Sequence, residues 1–386
     1  MAQTQPRPSS LGTLLPVLAA AAAILALPLL GAVLGGLPLG ELLQIPLTTR
    51  PWDPLGASPL ITWLAATLSL ALLAATAYFA WPRRPGGRRL PAPAPRRIPR
   101  FAWLGVFALL LAIIAADGAA VSAVVGLAVL ALALFANADT ERRTGSSLLS
   151  QRPGYFRSLF AASLAAGWLF HWLNLFLKLW VYPPATELVP FLLGNSLAYA
   201  VLLPALLSLR QWLASLPAVL GAVTRAEPLS GADASPQEGL ILLLAALLGL
   251  AGAALWPDWI YPLSLSAPLL LAVAIQQLRG RPTPLAGLQT GDWSRLLLPA
   301  LAALLLGLVA QGLNAWLGPA WALHLPLLGG PELLDLPLPG WVWIMLLGPF
   351  GVWLGDQLAE PWQQRPQQPP PAQGRFPVRI EIGDGS

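Results

Sequence analysis

Long apolar blocks separated by short polar, arginine-bearing or proline-bearing segments dominate this chain. The blocks at 11–37, 59–81 and 239–256 reach or approach the roughly 18 to 20 apolar residues that cross a hydrocarbon core. The pattern predicts ten helices, at 11–37, 59–81, 101–116, 119–136, 158–182, 191–212, 239–256, 262–279, 294–317 and 338–358. The expected fold is all-α, a polytopic transmembrane helical bundle of about ten spans, with parallel repeated helical hairpins in its C-terminal part. Three regions follow: residues 1–157 with helices one to four and an Arg/Pro-rich loop, residues 158–359 with helices five to ten, and a Pro/Gln-rich tail at 360–386.

The shortest pair is 101–116 and 119–136, with only Asp117 and Gly118 between them. Merging the two would reverse everything downstream and put four arginines outside, so two helices are expected. A tight hairpin that stops short of a full crossing is the alternative form. The first block could be a signal peptide after Arg7, but it runs past the roughly 7 to 15 residues of a signal core, and a retained first helix is expected.

Composition agrees with the pattern. Of 386 residues, 56% are hydrophobic and 10% charged, against about 25% charged in soluble domains. The bilayer is therefore the main solvent. The chain has no cysteine and two histidines, which excludes disulfides, thiolate chemistry and cysteine-ligated metal and argues against a multi-histidine centre. No cofactor and no nucleic-acid partner is expected.

The net charge of +5 matters less than where the arginines fall. Arg83, Arg84, Arg88, Arg89, Arg96, Arg97 and Arg100 fill one linker without an acid, and Arg142, Arg143, Arg152 and Arg157 fill the next. Arg210, Arg225, Arg279, Arg281 and Arg295 join them if ten helices alternate. Glu41, Asp53, Asp117, Glu187, Asp258, Glu332 and Asp335 fall in the opposite loops, with Arg50 the lone base there. By the positive-inside rule this implies a bacterial inner membrane with both termini cytoplasmic. Trp52, Trp180, Trp256, Trp259, Trp321 and Trp341 then mark the external interface, and Trp81, Trp103, Trp212 and Trp293 the internal one.

Two near-identical elements, Trp180-Val181-Tyr182-Pro183 and Trp259-Ile260-Tyr261-Pro262, are expected where outward helices end. A second echo links Gly167 and Asn174 to Gly307 and Asn314. Leu173 and Leu313 precede the asparagines, and Trp180 and Trp321 follow them. Equal orientation makes this a parallel repeat, not an inverted one.

Gln311 and Asn314, with Asp335, Pro337 and Gly340, stand in the places of two sequence elements, Trp-Glu-x-x-Asn and Glu-Met-Pro-x-x-Gly. Through these, about half the chain resembles an uncharacterised family of polytopic bacterial membrane proteins. Gln311, and His171 in the earlier copy, replace the family's glutamate, and the resemblance implies no activity.

His171, Asn174, Lys178 and Tyr182 are spaced to share one face of the fifth helix. Asn195, Ser196 and Tyr199 on the sixth helix lie at the depth of Lys178, with Pro204 as an expected kink. With Gln311, Asn314 and Asp335 these, Ser196 apart, form the candidate ligand-binding set of nine, lining one outer-leaflet cavity. For His171 the bland alternative is a neutral histidine bonded to a neighbouring helix, and for Lys178 a snorkelling side chain. Asn174 and Asn314 could equally be interhelical glue. His324 with Asp335 could form an acid–base pair, or two solvated loop residues. Gly31 and Gly35, and Gly351 and Gly355, have the spacing of close helix contacts. Gly348, Pro349 and Gly351 mark a hinge or a packing point.

The loop at 82–100 is a solvated linker or a segment drawn to anionic headgroups. The tail is polyproline-like at 366–371, and 376–380 alternates weakly like a strand. No phosphate loop, dinucleotide fingerprint, nucleophile elbow or zincin motif occurs. The expected role is binding or scaffolding, with membrane lipids, an amphiphilic small molecule or other membrane subunits as partners. Secondary transport ranks second and a membrane enzyme third.

Overall fold

The computed structural model describes residues 10–48, 53, 55–80, 97–116, 121–184, 186–229, 235–318 and 320–363. Its helices are α1 Ser10–Leu34, α2 Leu39–Leu42, α3 Pro59–Ala80, α4 Ala102–Ala115, α5 Val121–Thr144, α6 Leu148–Gln151, α7 Pro153–Leu177, α8 Leu188–Ala214, α9 Pro217–Thr224, α10 Pro236–Gly252, α11 Pro257–Leu278, α12 Ser294–Leu317 and α13 Leu338–Gln363. Four two-residue strands, β1 Trp180–Val181, β2 Ala322–Leu323, β3 Glu332–Leu333 and β4 Leu336–Pro337, pair antiparallel as β1–β2 and β3–β4.

All ten predicted helices have counterparts, and the fold is all-α. Among the described residues, eight helices (α1, α3, α5, α7, α8, α11, α12 and α13) are long and apolar enough to cross a membrane. α4, with 14 residues, and α10, with 17, are shorter. The outer surface carries apolar side chains that water would not tolerate. On α3, Leu60, Trp63, Leu64, Leu68 and Leu70 are all exposed, as are Trp103, Leu104 and Phe107 on α4. A soluble protein rarely presents such a continuous patch. Hydrocarbon is the solvent that leaves it at no cost, so the chain is membrane-embedded.

Helix ends depart from the apolar pattern where polar side chains cap them. α5 runs on to Thr144, eight residues beyond the expected end, because Asp139 pairs with Arg142 at 2.7 Å and with Arg143 at 2.5 Å across single turns. α10 begins at Pro236 behind a capping box. Ser235 Oγ accepts from the Glu238 N–H at 3.1 Å, and Glu238 Oε2 accepts from the Ser235 N–H at 3.3 Å. α7 starts at Pro153 and stops at Leu177, five residues short of expectation. α11 starts at Pro257, so Trp259, Ile260, Tyr261 and Pro262 form its opening turns while Trp180, Val181 and Tyr182 lie beyond the end of α7. The two elements are alike in sequence and different in structure.

Two ends can be distinguished. One holds α2, the strands, the start of α8 and the start of α11. There the segment before α3 is tied in by the Leu55 N–H donating to Asp258 Oδ2 at 3.1 Å and the Tyr182 N–H donating to Leu47 O at 2.8 Å. The other holds the ends of α5, α8, α11 and α13, and α9, where the Trp293 N–H donates to Val223 O at 2.7 Å. Glu41, Asp258, Glu332 and Asp335 are at the first end, and Arg142, Arg210, Arg225, Arg279, Arg281 and Arg295 at the second. The 82–96 loop and the tail beyond 363 lie outside the described residues.

The principal helix packings are α5 on α8, α10 on α11, α7 on α8, α4 on α5 and α12 on α13. Several depend on bare backbone. A Cβ on Gly31 would lie 2.1 Å from Ala251 O on α10, and one on Gly348 would lie 2.1 Å from Pro299 O on α12. Gly348 therefore serves packing, since carbonyl oxygen cannot move aside as a side chain can.

Gly348→Ala should force α12 and α13 apart and lower the melting temperature in detergent, the overpacking cost being about 1–3 kcal/mol. Gly221→Ala on α9, where an added Cβ meets nothing within 4 Å, should leave it unchanged or raise it slightly. Equal melting of the two variants would contradict this account of the helix contact.

Candidate functional site

α7 stops where it does because Asn174 stops it. Its Oδ1 accepts from the N–H groups of Leu179 at 2.9 Å and Trp180 at 3.1 Å, and its Nδ2 donates to Trp180 O at 2.8 Å. Asn314 repeats this at the end of α12. Its Oδ1 accepts from Ala320 at 2.9 Å and Trp321 at 3.3 Å, and its Nδ2 donates to Trp321 O at 3.0 Å. Each asparagine thus satisfies backbone groups of the non-helical segment that follows its helix. The two segments so held pair with each other, Trp180 opposite Leu323 and Val181 opposite Ala322.

Lys178 caps α7 in the left-handed conformation, φ 54°. Its side chain is buried, and Nζ donates to Leu42 O at the end of α2, 2.7 Å away. It does not snorkel. Because the helix has already ended, Tyr182 is not on a continuous face with His171 and Asn174 as the spacing predicted. It lies beyond β1, where its phenol meets Tyr199 Oη at 3.3 Å and Asn195 Oδ1 at 3.4 Å. Burial pushes the Tyr182 phenol up from its ordinary pKa.

The paired strands roof a cavity of about 390 Å³ between α7, α8, α12 and α13. Its walls are Ala166, Gly167 and Phe170 on α7, Tyr199, Leu203 and Leu206 on α8, Leu306, Gly307, Ala310 and Gln311 on α12, and Trp343, Ile344, Leu347 and Phe350 on α13. Leu179, Trp180, Trp321, Leu323 and Leu325 close the top. Gly167 and Gly307 let the facing helices close in, Gly167 onto Tyr199 and Gly307 onto Ile344.

The amide and hydroxyl groups of the lining, with the Trp321 indole, are already engaged by protein. Gln311 Nε2 donates to Leu334 O at 3.1 Å, and Gln311 Oε1 accepts from Trp321 Nε1 at 3.1 Å. Ser163 Oγ donates to Tyr199 O and accepts from the Leu203 N–H at 2.9 Å. It thereby inserts into the hydrogen-bond ladder of α8 one residue before Pro204, as kinked helices do. What remains facing the space is hydrocarbon and aromatic surface.

Of the nine candidate residues, Tyr199 and Gln311 line the cavity. Asn174 and Asn314 tie its roof. His171, Tyr182 and Asn195 form a buried cluster beside it. His171 is 1% exposed, with the rings of Trp168, Phe191 and Tyr182 centred 5.2, 5.5 and 5.9 Å away. Neither ring nitrogen has a hydrogen-bond partner among the described residues, so the expected bond to a neighbouring helix is not made. Asp335 is exposed in the β3–β4 turn, where Leu334 and Asp335 both have positive φ. His324 sits just after β2, its N–H donating to Leu179 O at 2.6 Å. Among the described residues no three His, Asp or Glu side chains gather as a metal site would require.

Most of the lining was invisible to sequence reasoning. Phe170, Leu306, Trp343, Ile344 and Leu347 are indistinguishable from core or lipid-facing residues until the helices are placed. The only signal was the spacing of Gly167 and Gly307 from their asparagines.

Fold and site together define an all-α, membrane-embedded bundle enclosing an apolar cavity. No protein-family model, curated protein or solved structure matches the chain.

Asn174→Ala and Asn314→Ala should each lower the melting temperature, leaving two N–H groups and a carbonyl unpaired at about 1–3 kcal/mol per buried group. Protease cleavage near 179–182 or 320–323 should accelerate correspondingly. His171→Phe should leave the melting temperature unchanged or raise it, because it removes two unpaired nitrogens and conserves a ring. A marked drop would reveal a polar partner for the imidazole.

Proposed function

We propose that this is a bacterial inner-membrane protein, with its arginine-bearing end and both termini cytoplasmic, which binds an amphiphilic molecule in the cavity under the β1–β2 roof. The observation that carries the reading is a space of about 390 Å³ whose lining amide and hydroxyl groups are already paired. Ligand pockets commonly span roughly 300–1,000 Å³. Such a lining favours an acyl, isoprenoid or polyaromatic body over an ion or a sugar, which would need unpaired polar groups at that depth. The seclusion of His171 from the cavity weighs against proton-linked transport along the same path.

We also read α7–α8 and α12–α13 as two copies of one hairpin, each formed by an outward helix, an asparagine-tied strand and an inward helix. The matching hydrogen bonds of Asn174 and Asn314 support this. So do the matching glycines seven residues before them, both on the cavity wall.

Protein purified in mild detergent should carry one amphiphile in stoichiometric amount, detected by extraction and mass spectrometry. Ala166→Phe with Ala310→Phe, which fills the cavity from α7 and α12, should lose it while retaining the fold. Bulk lipid in bulk proportions in the unaltered protein would sink the reading.

A further inference from the structure

At the opposite end of the bundle a second cavity, of about 290 Å³, lies among the ends of α8, α11, α12 and α13. Arg210, Arg281 and Arg295 reach it from three separate segments, against a single acid, Asp356. Arg210 and Arg295 both act on Asp356 electrostatically. Among the described residues, neither comes within ion-pair distance of an acidic oxygen. Trp353 also lines the space. It is 3% exposed, and its indole N–H has no acceptor among the described residues.

A buried N–H left unpaired costs about 1–3 kcal/mol, and converging guanidiniums repel one another unless something negative lies between them. Both deficits are removed by one kind of group, an anion with several acceptor oxygens. Arginine's planar fork suits phosphate, to which it can present two parallel N–H groups. Gln276 contributes an amide whose Oε1 is also unpaired among the described residues. Turned end for end, it would offer its NH₂ to the same oxygens. A halide would satisfy fewer of these donors, and Asp356 disfavours any anion too weakly charged to compete with it.

The geometry points to an oxyanion site at this end of the bundle, built for the phosphate of an anionic lipid headgroup. The location favours a headgroup over a free ion. The cavity opens where spanning helices terminate, beside the Trp212 and Trp293 belt, and basic pockets between such helices are typical headgroup sites. The inference rests on the membrane reading and not on the apolar cavity, since the two spaces share no lining residue.

The test uses the full-length protein, delipidated and reconstituted in phosphatidylcholine nanodiscs, with thermal stability and native mass spectrometry as readouts. Phosphatidylglycerol should raise the melting temperature and give a one-to-one adduct. R210Q with R295Q should weaken that response at least tenfold while melting normally in phosphatidylcholine alone. If the double variant fails to fold, Trp353→Phe, which deletes only the N–H, should weaken it several-fold. The Ala166→Phe, Ala310→Phe protein should keep the response, which separates this site from the apolar cavity. Stabilisation by millimolar inorganic phosphate without any by phosphatidylglycerol would overturn the lipid assignment and leave a free-phosphate site. An undiminished lipid response in a folded arginine variant, or no response to either probe, would overturn the site itself.

Discussion

Backbone that leaves the helical state inside a membrane must satisfy its own N–H and C=O groups, because hydrocarbon offers no substitute for water. This chain meets that constraint with two side chains. Asn174 and Asn314 each accept two backbone N–H groups and return one donor to a carbonyl, so α7 and α12 can end while still among packed helices. The strands they release then satisfy each other. Without the asparagines, both helices would have to run on to the interface. There would then be no roof, and the four surrounding helices would have no reason to stand apart beneath it.

Around that closure the other polar residues serve as local solutions to the same problem. Lys178 takes the orphan carbonyl of Leu42, and Ser163 enters the α8 ladder beside Pro204. Gln311 steadies the positive-φ turn at Leu334. Their arrangement explains why an apparently promising polar set does not gather around the cavity. Most of these groups are occupied with backbone, and the space they frame is left apolar. His171 stands apart because it closes no such gap.

The helices were legible in the sequence because a spanning segment is defined mainly by length and apolarity, and these survive any detail of packing. Their ends were less so. α5 continues through charged residues because Asp139 and its two arginines support another turn, and α7 stops early inside an apolar run because one asparagine intercepts its N–H groups. Both decisions are made by single side chains that hydropathy ignores. The arginine distribution correctly grouped Arg210, Arg281 and Arg295, which meet in one cavity. The stripe through His171 and Tyr182 failed because it assumed a helix that had already ended. The cavity was hidden for a different reason: leucine, phenylalanine and tryptophan read alike whether they face a partner, lipid or a void.

The two cavities divide along the same helices. On α8, Leu206 faces the apolar space and Arg210, one turn on, faces the cationic one. On α13, Gly351 and Leu354 belong to the first, and Trp353 and Asp356 to the second. Where the two linings approach, α13 packs closely on its neighbours. Gly351 admits Leu206, and Gly355 admits Leu207 while its carbonyl accepts from Tyr155 Oη at 2.8 Å. A Cβ at Gly351 would meet a Leu206 methyl at 2.3 Å, and one at Gly355 a Leu207 methyl at 2.7 Å. A hydrocarbon-lined compartment and a guanidinium-lined one thus lie within a turn of each other along the same two helices, each with a chemistry the other could not accommodate.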